Sequence, residues 1–408
     1  MTAPKFARRG SLLACAALTL LMTGWPAFAQ DKEPEPGTPL YGRPKTEGAM
    51  KLDIVPPMPL PTPADKLPIA KLKLPRGFKI EVYAAGIADA RFLREGDKGT
   101  VFVSNWMGNN VYAIVDKGGK REIKMLYKGL DWPNGIAFKN GTLYIAEHNK
   151  ISKVADIEDH LDNPPPLTKI YDDIPDFRPH GWRQLGIGPD NRLYIAIGAP
   201  CNICMPPDTN AQIRSMTLDG KDVQVVARGV RNSVGFDWSP LNKQLYFTDN
   251  GRDWFSEDLP NDELNRVTEP GKQHFGFPFC HQGDIPDSEF GWGKKCSDYT
   301  PPIAKLGPHA AALGMSFYTG KMFPPKYRNA IFIARHGSWN RTIKFGGDVI
   351  AVFLDRQGNV KSMEPFVTGF IENNQYLGRP VDPYVLKDGS LLITDDHNGA
   401  IYRVTYSK

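Results

Sequence analysis

Gly135-Ile-Ala-Phe-Lys-Asn-Gly-Thr-Leu-Tyr-Ile-Ala-Glu147 and Pro383-Tyr-Val-Leu-Lys-Asp-Gly-Ser-Leu-Leu-Ile-Thr-Asp-Asp396 are two copies of one pattern, far apart in the chain. Each is a short apolar run, an Asn-Gly or Asp-Gly turn, and a second apolar run that ends in small or acidic residues. That order reads as a tight antiparallel hairpin. Looser copies lie at Ala88–Val115, Leu185–Ile197, Val234–Asn250 and Leu313–Gly337, so the unit occurs six times. Such a repeat predicts an all-β chain folded as a six-bladed β-propeller with four strands per blade. The wider intervals near 252–312 and 338–380 are expected to be insertions on the functional face, and Gly77–Ala84 to close the ring against the last blade. Helix-period patterning is nearly absent, which disfavours an α/β barrel.

Composition bounds the rest. Of 408 residues, 41% are hydrophobic and 23% charged, the balance of a globular chain, and a net charge of +5 without like-charge blocks points away from nucleic acid and anionic membranes. Lys5, Arg8 and Arg9, an apolar run from Leu12 to Met22, and Ala27-Phe28-Ala29 predict a cleavable export signal over 1–29, partly of twin-arginine type. Residues 30–73 read as a Pro-rich, poorly ordered leader, and 74–408 as the propeller, with no membrane span in the mature chain. The mature protein is expected to be periplasmic or secreted. There Cys201, Cys204, Cys280 and Cys296 favour local disulfides, 201–204 and 280–296, over a zinc site with His281 and His309. Met205 after Cys204 excludes a c-type haem attachment motif.

Chemistry concentrates in connectors. His180 sits between Pro179 and Gly181 on a loop entering a strand, where a neutral imidazole would serve as a general base. Arg231-Asn232 opens another strand, and an arginine there suits a carbonyl or a carboxylate. Asp262-Glu263-Leu264-Asn265 and His274-Phe275-Gly276-Phe277-Pro278 gather hard oxygen donors of the kind calcium prefers. Arg231, Arg335 and Arg379 lie on different repeats, and their convergence on the axis would suit a ligand with several carboxylates.

HGWRQLGIGPD at 180–190, GVRNSVGFDW at 229–238, DELN with HFGFP, MSFYTGKMFP at 315–324, HGSWNR at 336–341 and the closing GRPVDPYVLKDGSLLITDD together resemble the glucose/sorbosone dehydrogenase family. These are soluble propellers that use pyrroloquinoline quinone (PQQ) and calcium, and the sorbosone dehydrogenase-like branch is the nearest. The resemblance implies His180 as the base and Arg231 with Asn232 beside the reactive quinone carbonyl. It implies Arg335 and Arg379 as further cofactor contacts. Carbonyls of Gly251 and Arg252 would hold the cofactor's calcium, and Glu263 with the Phe275 carbonyl a structural one. It also implies a small sugar or sugar-aldehyde substrate and an external electron acceptor. The chain departs from the family at Val381, where relatives carry a second arginine, at Asp131–Gly135 in place of Gln-Gly-Gly-Leu, and in the arginine of HGWRQL, displaced by one position. A calcium lactonase, suggested by Pro133–Phe138, and a non-catalytic binding propeller are the competing readings.

Overall fold

In the computed structural model, which describes residues 58–407, six four-stranded antiparallel sheets surround one axis. Blade I comprises Ala90–Glu95, Val101–Asn105, Asn110–Lys117 and Lys120–Tyr127, and blade II comprises Gly135–Lys139, Thr142–Ala146, Ile151–Val154 and Thr168–Tyr171. Blade III comprises Leu185–Ile187, Leu193–Ile197, Gln212–Met216 and Gln224–Arg228; blade IV comprises Gly235–Trp238, Leu245–Asp249, Asn261–Arg266 and Ala304–Pro308. Blade V comprises Ala312–Phe317, Ile331–Arg335, Asp348–Leu354 and Val360–Val367. Pro380–Val385, Leu391–Asp395 and Ala400–Tyr406 make blade VI, which takes its fourth strand, Phe78–Ala85, from the other end of the described chain. The all-β, six-bladed propeller expected from the repeat is the observed fold.

Local chemistry explains the strands. Asn140 and Gly141 both hold positive φ (47° and 73°) between paired Lys139 and Thr142, the backbone of a two-residue hairpin turn. Second strands such as Val101–Asn105, Leu245–Asp249 and Leu391–Asp395 are buried along their whole length, because blades pack on both faces. Outermost strands are mostly exposed and carry lysines, such as Lys120 and Lys124 in blade I, that discourage edge pairing. Near the axis the blades approach backbone to backbone. A Cβ on Gly235 would lie 2.1 Å from the Leu313 carbonyl oxygen of blade V, so only glycine fits there.

Both expected disulfides are formed, Cys201–Cys204 and Cys280–Cys296. Residues 1–57, which include the signal and most of the leader, lie outside the described residues. The last part of the expected leader is a correction. Two short 3₁₀ turns, Ala64–Lys66 and Ile69–Lys71, carry Leu67 and Leu72 into the core shared by blades V and VI, and Lys73 bridges Thr368. Two buried leucines outweigh the polar, Pro-rich composition that suggested an unanchored tail.

Phe78 secures the closing strand. Its ring meets Phe323, Tyr327 and Phe366 edge-on at centroid distances of 4.8, 5.3 and 5.0 Å. We expect Phe78→Ala to lower unfolding free energy by about 3 kcal/mol, read from urea unfolding. An unchanged midpoint would show that the ring does not depend on this seam.

Candidate active site on the upper face

Up-and-down strand order sends two kinds of connector to one face, here called the upper face. These are the links from second to third strands and the links from one blade to the next. His180 lies on the link from blade II to III, Arg231 and Asn232 on the link from III to IV, and Arg379 on the link from V to VI. Gly251 and Arg252 follow the second strand of blade IV, and Arg335 ends that of blade V. The insertion 267–303 climbs the groove between blades III and IV, where Phe275 N–H donates to the Arg228 carbonyl.

His180 is buried, with a left-handed backbone (φ 52°) that a side chain rarely adopts without need. Its Nδ1 lies 2.9 Å from the Ala199 carbonyl oxygen. A carbonyl only accepts, so Nδ1 carries the proton and Nε2 keeps a free lone pair. Burial first, then the charge of Arg231, hold the imidazole well below its ordinary pKa, so it is neutral at neutral pH. Ala199 also donates its N–H to the Arg231 carbonyl at 2.8 Å, so one residue ties both connectors together. Gly198 permits this approach, since a Cβ there would lie 2.5 Å from that of His180.

The buried guanidinium of Arg231 is held on all sides. Nε donates to the Asn202 carbonyl (2.9 Å), Nη1 to that of Asn250 (3.0 Å), and Nη2 to Asn202 Oδ1 (2.8 Å) and Asp253 Oδ2 (2.9 Å). The N–H groups of Arg231 and Asn232 donate to the Asp249 carboxylate at 2.8 and 2.6 Å.

Below lies a cavity of about 10 Å³ whose lining includes Arg231, Asp249, Asn250, Gly251, Glu263 and Phe275. That volume holds a single water or ion. Asp249 and Glu263 are cross-strand partners, and burial pushes their carboxyls up to about 7 and about 8, Glu263 further raised by Asp249. Two carboxylates sharing a cavity are relieved by a cation, so the donor chemistry fits calcium. Among the described residues no three His, Cys, Asp or Glu side chains gather as a metal cluster, so such a cation needs backbone oxygens as well. The side chain of Arg252 turns away, fully buried, to Asp287 (2.6 Å), which His281 also contacts at 2.8 Å; only the Arg252 carbonyl remains for a ligand role.

Across the axis stands a second pole. Asp396 accepts from Arg91 (2.7 Å) and faces His336 Nε2 at 2.8 Å, while Arg379 donates to the His336 and Gly337 carbonyls at 3.3 and 2.7 Å. Burial, then Arg379, lowers His336 to about 4. Arg335 does not join this pole. It pairs with Asp348, donates to the Leu306 carbonyl at 3.1 Å and lies over the Phe345 ring.

Trp106, Trp132 and Trp182 link the two poles, with Trp106 centroids 5.1 and 5.2 Å from the other two and Trp182 lying 6.2 Å from His180. Trp106 Nε1, Asn134 Nδ2, Trp182 Nε1 and Gln184 Oε1 are buried without a partner within the protein. Unmet donors, indole faces and the cations Arg91, Arg231 and Arg379 fit a planar aromatic anion such as PQQ. The 10 Å³ cavity is too small for such a group. Sequence reasoning missed Arg91, Asn202, Asp253 and Asp396. Asn202 had a signal, its place between two cysteines; Arg91 had none.

Residues 72–407 match the TrAA12-like family. An uncharacterized protein of Borreliella burgdorferi is 35% identical over 353 residues, 83% of this chain and 91% of that one. Among solved structures, the iodide structure of the Trichoderma reesei family AA12 carbohydrate-active enzyme superposes with TM-score 0.71 at 18% identity, over 87% of this chain and all of that one. The holo PQQ domain of pyranose dehydrogenase from Coprinopsis cinerea gives 0.70 at 18%, over 82% and 97%. The PQQ-bound aldose sugar dehydrogenase of Streptomyces coelicolor gives 0.58 at 17%, over 82% and 100%. At those identities the structures establish a shared fold, whereas the match along nearly the whole propeller and the Borreliella relative establish descent: this chain belongs to the TrAA12-like family.

Proposed function

We propose that this protein is an exported PQQ- and calcium-dependent oxidoreductase that oxidises an aldose or a sugar aldehyde such as sorbosone and passes electrons to an external acceptor. One observation carries the reading: a neutral, buried imidazole with its Nδ1 occupied and its Nε2 free, stapled to a fully held arginine on the same face. The PQQ-bound sugar dehydrogenases that share the fold support it, and the two disulfides support an oxidising compartment.

In this reading bound PQQ supplies a carbonyl-type acceptor for hydride. His180 Nε2 takes the proton of the substrate hydroxyl as the C–H bond gives up its electron pair. Arg231 and Asn232 present positive charge and an amide where negative charge develops, and Arg379 anchors a cofactor carboxylate. Arg335, held by Asp348, contributes at most through its backbone or through the field of its charge. Carbonyls of Gly251 and Arg252 would hold the catalytic calcium, and Glu263 with the Phe275 carbonyl would hold a structural one.

The direct test titrates apoprotein with PQQ and calcium, following absorbance and dye reduction with a panel of aldoses and aldehydes. Saturable binding with sugar-dependent dye reduction is expected; no binding at micromolar PQQ favours a lactonase or a binding propeller. His180→Ala should cut turnover by about 10²- to 10⁴-fold and leave the cofactor Kd within about twofold. Because His180 is depressed, the limb of kcat/KM due to this base should lie below pH 6.5, with activity level above it. Retained turnover in the variant removes His180 as base. Calcium should raise the melting temperature relative to chelator, and Glu263→Gln should remove most of that rise. An equal rise in the variant would place the ion elsewhere.

A further inference from the structure

The disulfide loop beside Arg231 is more than a surface staple. Cys201 and Cys204 are three positions apart, so the bridge closes a single tight turn whose interior residues are Asn202 and Ile203. Ile203 and Cys201 pack against the buried apolar group Ala199, Ala211 and Phe277, which seats the turn on the upper face. Asn202 is thereby driven inward, to 6% exposure, unusual for an asparagine in a surface connector.

Once there, its hydrogen-bonding groups converge on the candidate centre. Its carbonyl accepts from Arg231 Nε at 2.9 Å, and its Oδ1 accepts from Arg231 Nη2 and from the Asp253 N–H, both at 2.8 Å. Its Nδ2 donates to the Asp253 carbonyl at 3.0 Å, while the Asp253 carboxylate accepts from Arg231 Nη2 at 2.9 Å. Asn202 therefore bridges both members of the buried ion pair. A guanidinium on a flexible stem is oriented only by its partners, and two of its nitrogens are set by this one residue.

We infer that Asn202, presented by the Cys201–Cys204 turn, is a positioning residue that aims the Arg231 guanidinium, and that the disulfide serves the centre by holding it. This rests on the proposed role of Arg231, but part of its test does not.

A double-mutant cycle on cofactor affinity separates positioning from general stability. Asn202→Ala should raise the PQQ Kd of the calcium-loaded protein about tenfold, the weight of one lost bond to a charged group. In an Arg231→Ala background the same change should leave the Kd unaltered, because the group it orients is gone. Cys201→Ser combined with Cys204→Ser should weaken binding in the direction of Asn202→Ala. If Asn202→Ala weakens binding equally in both backgrounds, the residue supports the fold and the inference falls.

The second readout needs no cofactor. Arg231 and Arg183 are the charged groups that depress His180, beyond burial itself. NMR titration of ¹³C-labelled histidine in the apoprotein should show the His180 midpoint move upward in Asn202→Ala. An unmoved midpoint in Asn202→Ala overturns the inference, even if PQQ never binds. Failure of PQQ binding in the parent, with the midpoint shifted in Asn202→Ala, overturns only the functional reading.

Discussion

The ring depends on polar groups buried where one blade meets the next. Inner strands of adjacent blades do not extend one another's ladders, so side chains must join them. Ser104 donates to the Asn134 carbonyl (2.5 Å), Thr248 to that of Leu313 (2.7 Å) and Thr394 to that of Arg91 (2.6 Å), each hydroxyl reaching from a second strand to the following blade. Carboxylates add the reciprocal bond: buried Asp382 accepts from Leu93 N–H (2.9 Å) and partly buried Asp237 from Phe317 N–H (2.8 Å). In an interior without water, each unmet partner would cost about 1–3 kcal/mol, so these contacts set blade spacing and phase together.

The next residue along uses the same chemistry to build the upper face. Asp249 and Asp395 end second strands and accept N–H groups of the connectors that lead into their own blades: Arg231 and Asn232 ahead of blade IV, Arg379 ahead of blade VI. A carboxylate thus aims the backbone from which an arginine projects. Burial raises both acids, and backbone N–H donors are the main influence pulling them back. The acidic strand end visible in the repeat is therefore structural first. Asp249 alone adds a second role, because Glu263 stands opposite it across the small cavity.

This division explains what was legible in the sequence. The hairpin turns, the apolar runs and the small or acidic strand ends recur because the blades share one packing problem, with Thr-Asp itself at the ends in blades IV and VI, so fold and phasing could be read from one chain. His180, Arg231, Asn232 and Arg379 were singled out by their motifs and by the family resemblance, and all four lie on connectors of the upper face. Arg335 looked equivalent but is not: as the last residue of a strand it faces Asp348 across the ladder, and that partner decides its direction. Leu67 and Leu72 were hidden among prolines and lysines because two buried leucines leave no periodic trace. Asn202, marked only by its place between two cysteines, and Asp253 gave no hint of a shared role, because that role arises only when the Cys201 turn folds against the blade IV connector.

Val381 shows how far a single missing residue can mislead. It is fully buried among Val234 and Leu313 in the core between inner strands, so it faces packing and not the upper face. A second guanidinium nevertheless reaches the pole of Arg379, delivered by Arg91 from the inner strand of the next blade and tied to the same Asp396. Arg91 pairs with that carboxylate, the charge of Arg379 acts on it, and His336 lies against it, so positive charge and a neutral imidazole occur at each end of the indole-lined face. In a closed ring of near-equivalent blades, charge is a property of the pole and not of one strand position. An adjacent blade can carry it, and position-by-position comparison along the chain does not see that exchange.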